Sequence, residues 1–157
     1  MSGAKRIVRR KIVIFLCSGN TCRSPMAEII FKSKAIESGL KCYVESYGLD
    51  TQGGEEINAK AVESLRKIGL MVDNRLSKRL EVEKLDKAKL IVCMTQKQRE
   101  CLWGYATAKC ISEFLGYEVD DPYGKGQDEY DKTAKQLNIA VDEIIKYLLK
   151  PKNAGNK

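Results

Sequence analysis

Residues 11–26 read KIVIFLCSGNTCRSPM. After Lys11 the six residues IVIFLC form an unbroken apolar run of strand length, the pattern of a strand covered on both faces. From Ser18 the residues become small and polar. At Ser24 the pattern changes again: Ser24 is a capping type, Pro25 suits a first helical turn, and MAEIIFKSKAIES continues helically to Gly39. A buried strand, a short turn and a helix in immediate succession set the fold class.

The rest of the chain repeats this alternation. Residues 42–47 (CYVESY) read as a strand, with Cys42 a small buried hydrophobe, and residues 48–54 read as a loop. Asn58 can cap a helix through Ile68 that ends at Gly69. Residues 81–88 suit a short amphipathic helix, and 89–94 (KLIVCM) a second buried strand containing Cys93. Thr95 can cap a helix over 96–103, and a short strand is expected near Cys110. From Asp128 the spacing of Leu137, Val141, Ile144, Ile145 and Leu148 predicts a final helix that stops before Pro151. Strands alternating with helices predict an α/β fold with a parallel sheet covered on both faces. One domain is expected over 11–150, with a basic, flexible leader at 1–10 and a flexible tail at 151–157.

Composition narrows the function classes. Apolar residues are 43% and charged residues 31%, as in an ordinary soluble globule. No apolar run approaches the roughly 20 residues of a membrane span, and the basic N-terminus lacks the apolar stretch of a secretory signal. A cytoplasmic protein is expected, away from membranes. Lys5, Arg6, Arg9, Arg10 and Lys11 carry much of the net charge of +7. No aromatic residues interleave with them, so a solvated leader is preferred to a nucleic-acid arm. The six cysteines contain no C-x-x-C pair, which argues against structural zinc. There is no histidine. That excludes Ser-His-Asp and Cys-His pairs, HExxH metal sites and a histidine general base.

In parallel α/β sheets ligands bind beyond the carboxyl ends of the strands. Residues 17–24, CSGNTCRS, occupy that position after the first strand. The backbone amides of Ser18, Gly19, Asn20, Thr21 and Cys22 can turn inward as an anion nest at a helix N-terminus. Gly19 and Asn20 tolerate the left-handed conformations a nest requires. Arg23 offers a planar fork for two phosphate oxygens. Cys17 faces this positive field, which favours its thiolate, and Ser24 can donate a hydrogen bond to the sulfur. The arrangement aims a nucleophile at phosphorus. Turnover also needs a proton for the leaving group. Asp121, stiffened by Pro122 in the segment DPYG, is the candidate acid and is preferred to its neighbour Asp120.

CSGNTCRSP after a buried strand, with DPYG far downstream, resembles the low-molecular-weight protein tyrosine phosphatase family. The likeness covers residues 11–149, including NAKAVESL at 58–65 and the helix from Tyr130 to Leu137. It implies a four-stranded parallel sheet with helices on both faces, a cysteinyl-phosphate intermediate, a phosphorylated protein substrate, and neither metal nor cofactor. It also implies that Asn20 and Ser46 brace the loop. Two departures stand out: Tyr47 replaces the family's usual alanine between Ser46 and Gly48, and a common histidine gives way near Asn74 and Arg75.

The loop also resembles that of the bacterial protein-arginine-phosphatase branch, CTGNTCRSP, differing only at Ser18. Tyrosine-directed members usually carry a branched apolar residue where this chain has Thr21, whose hydroxyl suits a guanidinium better than a phenyl ring. Residues 48–54 lack an aromatic that would sandwich a phosphotyrosine, and have Asp50, Thr51 and Gln52 instead. Phosphoarginine is therefore favoured, with phosphotyrosine as the alternative; Tyr123 can line the mouth for either. A thiol-dependent arsenate reductase shares the fold and is a further alternative, relaying through Cys93 and Cys101. Cys22 has two readings: a reversible disulfide partner that protects Cys17, or a packing residue.

Overall fold

The computed structural model describes residues 11–150. The expected leader at 1–10 and tail at 151–157 lie outside the described residues. Four strands, β1 (Ile12–Cys17), β2 (Tyr43–Gly48), β3 (Ala88–Cys93) and β4 (Ala108–Cys110), pair in parallel in the order β2-β1-β3-β4. Among the described residues six helices accompany them: α1 (Arg23–Ser38), α2 (Ala59–Lys67), α3 (Val82–Leu85), α4 (Gln96–Glu100), α5 (Ser112–Leu115) and α6 (Gln127–Leu149).

The period of two along β1 divides its side chains between two cores. Val13, Phe15 and Cys17 face one core, built with Leu90 and Val92 of β3 and with α1, α2 and α6. Ile14 and Leu16 face the other, closed by Leu85 of α3, Ala108 of β4 and Leu102 just beyond α4. Both faces are covered, as the unbroken apolar run predicts. Phe15 and Phe31 meet edge to face at 5.8 Å in the larger core; fully burying such a side chain contributes roughly 2–3 kcal/mol.

Local signals set most element ends. Asn58 accepts the Lys60 N–H at 2.8 Å as N-cap of α2. Thr95 and Gln98 form a reciprocal capping box at α4. Gly39 ends α1 in the left-handed conformation. Two sequence expectations are corrected and one element is added. Helix α1 starts at Arg23 with Cys22 as N-cap, so Ser24 lies inside the first turn and its hydroxyl serves the loop instead. Cys42 precedes β2 and is half-buried, its thiol donating to the Lys11 carbonyl. Helix α5 was not expected, since four residues carry too little periodicity to be read.

Because β1 is flanked by β2 on one side and β3 on the other, the strand order reverses beside it. Loops after β1 and β3 diverge there and leave the crevice where α/β proteins place ligands.

Candidate active site

The loop from β1 to α1 wraps around the sulfur of Cys17. The backbone N–H groups of Asn20 and Ser24 point at Sγ, at 3.3 and 3.4 Å, and the Ser24 hydroxyl lies 2.9 Å from it. Of the two residues that tolerate left-handed conformations, only Asn20 adopts one, with φ 57°. Its side chain holds the strained turn: Nδ2 donates to Ser24 Oγ (2.8 Å) and Ser46 Oγ (3.0 Å), and Oδ1 accepts the Lys78 N–H (2.9 Å). Asn20 and Ser24 are buried behind the loop, so they shape the nest rather than line its mouth. Gly48, at the end of β2, is required here by close approach. A Cβ on it would stand 2.9 Å from the Ser18 carbonyl oxygen and 2.5 Å from Thr51 Cγ2.

Tyr47, the departure beside Gly48, points to the opposite core, where its hydroxyl donates to Glu45. It therefore leaves the nest intact. Cys22 is a free thiol packed in the larger core, donating to Tyr130 Oη at 3.7 Å; burial pushes that thiol up.

The downstream segment reaches the same place through the sheet. The Val119 N–H donates to the Met94 carbonyl just past β3, and the Val119 carbonyl accepts Arg23 Nη1 at 3.0 Å. Two residues on, the Asp121 carboxylate lies 3.5 Å from Arg23 Nη2. The guanidinium is buried and the carboxylate half exposed. Asp121 Oδ1 also accepts the Tyr123 N–H at 3.1 Å, fixing the turn around Pro122. Lys60 Nζ holds the Lys125 carbonyl at 2.7 Å, tying this loop to α2.

These elements enclose a cavity of about 260 Å³ lined by Cys17, Ser18, Gly19, Thr21, Cys22 and Arg23, with Asp50, Glu55, Asp121 and Tyr123 at its rim. Its floor is rich in hydrogen-bond donors and its rim carries three carboxylates. The low molecular weight phosphotyrosine protein phosphatase family model matches residues 12–154. The chain belongs to this family. Among its relatives, the low molecular weight protein-tyrosine-phosphatase PtpB of Staphylococcus epidermidis is 33% identical over 138 residues, spanning 84% of this chain and 95% of the relative. The protein-arginine-phosphatase of Bacillus subtilis is 33% identical over 146 residues, spanning 88% and 97%. The solved low molecular weight protein tyrosine phosphatase from T. tengcongensis superposes with a TM-score of 0.82 at 34% identity, covering 87% of this chain and 99% of that one.

Sequence reasoning missed several residues of this phosphatase site. Glu55 reaches the rim because Gly53 and Gly54 turn the chain back on Ser77, a contact with no local signal. Gln98 supports the loop by donating to Ser18 Oγ at 3.2 Å; its place in the α4 capping box was the one available hint. Glu28 and Arg75 form an ion pair of 2.9 Å behind the loop. Among the described residues no cluster of His, Cys, Asp or Glu is placed to hold a metal, and no helix is long and apolar enough to cross a membrane.

Proposed function

We propose that this phosphatase hydrolyses phosphorylated protein side chains through Cys17, and that phosphoarginine is favoured over phosphotyrosine. The Cys17 thiolate attacks phosphorus while Arg23 and the loop amides bind the phosphoryl oxygens. The P–N bond of phosphoarginine, or the P–O bond of phosphotyrosine, breaks as Asp121 gives its proton to the leaving atom. Asp121, now a carboxylate, takes a proton from water. The water oxygen attacks phosphorus, the P–S bond breaks, and the Cys17 thiolate and inorganic phosphate are released.

The observation that carries the substrate preference is the acidic rim. Asp50 and Glu55 line the cavity beside Thr21, and among the described residues no hydrogen bond or ion pair engages either carboxylate. A phosphoarginine guanidinium presents N–H donors next to the phosphate, whereas a phenyl ring presents none. The loop holds these groups in place: the Asp50 N–H binds the Ser18 carbonyl at 2.9 Å, the Glu55 N–H donates to the Ser77 hydroxyl at 3.0 Å, and the Ser77 N–H donates to the Glu55 carbonyl at 2.7 Å. A cytoplasmic site of action agrees with six free thiols.

The thiol-relay reading loses support from the same geometry. Cys93 is fully buried at the end of β3, and burial pushes its thiol up to about 12. Cys101 is exposed at the end of α4 and bonds its own helix. The deciding experiment is side-by-side hydrolysis of phosphoarginine and phosphotyrosine peptides, with Cys17→Ser as control. A higher kcat/KM on phosphoarginine supports the preference; an equal or lower value overturns it. Hydrolysis retained by Cys17→Ser removes Cys17 from the reaction.

A further inference from the structure

Glu28 lies in α1, 7% exposed, on the far side of the loop from the cavity. A carboxylate so enclosed needs hydrogen-bond and charge partners to replace its lost hydration. Arg75 supplies one, with Nη1 at 2.9 Å from Oε1, and Arg75 Nε in turn donates to Asp73 at 2.8 Å. The Ser46 hydroxyl, 2.6 Å away, supplies the other. From Ser46 the contacts run through Asn20 and Ser24 to Cys17 Sγ.

Every proton in this chain has one place to go. The Lys78 N–H can only donate, so Asn20 Oδ1 faces it and the Asn20 amide N–H bonds face the two serines. An ionised Glu28 can only accept, so the single Ser46 proton points at it and the Ser46 lone pairs are left for Asn20. Ser24, already accepting from Asn20, turns its one proton toward Cys17.

We propose that Glu28 and Arg75 are positioning residues for the nucleophile: the Glu28 carboxylate, paired with Arg75, takes the Ser46 proton, which locks Ser46, Asn20 and Ser24 in the polarity that turns the Ser24 hydroxyl toward Cys17. This rests on Cys17 being the nucleophile and is independent of whether arginine or tyrosine carries the phosphate. Arginine suits the role because its charge persists at every relevant pH. Were the pair only a clamp between α1 and the segment around Arg75, its loss would lower stability without altering the sulfur.

The test is the alkylation rate of Cys17 by iodoacetate at pH 7, assigned by peptide mass, together with kcat and KM for p-nitrophenyl phosphate. Glu28→Gln and Arg75→Met are expected to slow alkylation and to lower kcat about tenfold, with a smaller change in KM. Arg75→Lys should recover most of what Arg75→Met loses. The double variant Glu28→Gln/Ser46→Ala should be no slower than Ser46→Ala alone, because the effect passes through Ser46. Unchanged Cys17 alkylation in folded Glu28→Gln, or additive losses in the double variant, overturns the proposal. If Glu28→Gln does not fold, equal alkylation in Arg75→Lys and Arg75→Met overturns it. Failure of the nucleophile reading shows separately, as turnover by Cys17→Ser.

Discussion

The Arg23 guanidinium stands 3.5 Å from the Asp121 carboxylate, so the phosphate fork and the proposed proton donor share one edge of the cavity. A phosphoryl group seated on Arg23 would therefore lie within reach of Asp121. The proximity has a second consequence. The carboxylate is held by the cation, and a bound phosphate would compete for that cation.

Asp121→Asn removes the proton donor while keeping the side-chain shape. We expect kcat on phosphotyrosine peptides to fall by about 10²–10³, within the usual range for general acids. The loss should shrink with leaving groups that need no proton, such as activated aryl phosphates. A rate on poor leaving groups equal to that of the unaltered enzyme removes Asp121 from the role.

Thr21→Ile replaces a hydroxyl with methyl groups at the cavity wall. The ratio of kcat/KM for phosphoarginine over phosphotyrosine should fall several-fold. Asp50→Asn/Glu55→Gln should lower the same ratio by weakening phosphoarginine selectively, since a guanidinium offers N–H donors to a carboxylate and a phenyl ring offers none. An unchanged ratio in Asp50→Asn/Glu55→Gln eliminates the acidic rim as a determinant, and an unchanged ratio in Thr21→Ile eliminates the Thr21 hydroxyl.

Iodoacetamide applied to the native protein at neutral pH should label the exposed Cys101 and leave Cys93 unmodified, because Cys93 is fully buried with its thiol pushed up to about 12. Arsenate should not drive consumption of reduced thioredoxin. Labelling of Cys93, or arsenate-dependent thioredoxin oxidation, restores the thiol relay.

Asp131 joins α2 to α6. Lys67 Nζ at 2.7 Å, with Ser64 and Gln127, holds its carboxyl well below the usual carboxylate range. A depressed folded-state value means the unfolded chain takes up the proton first. The contribution is therefore complete above about pH 4 and disappears as pH falls through the folded value. The pair is only partly buried, so Asp131→Asn should lower Tm at pH 7 by on the order of 2 °C. That difference should vanish in acid. A Tm gap independent of pH contradicts this assignment.

Several elements were legible because their causes are local. The run IVIFLC announces a doubly covered strand, Asn58 and Thr95 cap the helices that follow them, and the parallel sheet follows from alternation. Where a residue had two local options, the sequence could not choose. Ser24 is a good cap by type, yet the helix begins one residue earlier and its hydroxyl turns to Cys17. Gly19 and Asn20 both tolerate the left-handed region, and Asn20 takes it because Ser46, Ser24 and Lys78 hold its side chain. Cys42 resembles a strand residue but falls just before β2 pairs with β1.

Sequence by itself determined the strand–nest–helix unit from Ile12 to Ser38, because its signals act over a few residues: apolar continuity, small residues that permit a tight turn, an arginine and a proline at the helix start. Only the tertiary structure decided which distant groups meet there. Asp121 reaches Arg23 because Val119 is bound beside β3, Glu55 reaches the rim through Ser77, and Arg75 reaches Glu28 behind Ser46. Such meetings depend on the order of strands in the sheet and the path of the loops between them. No local propensity encodes that order.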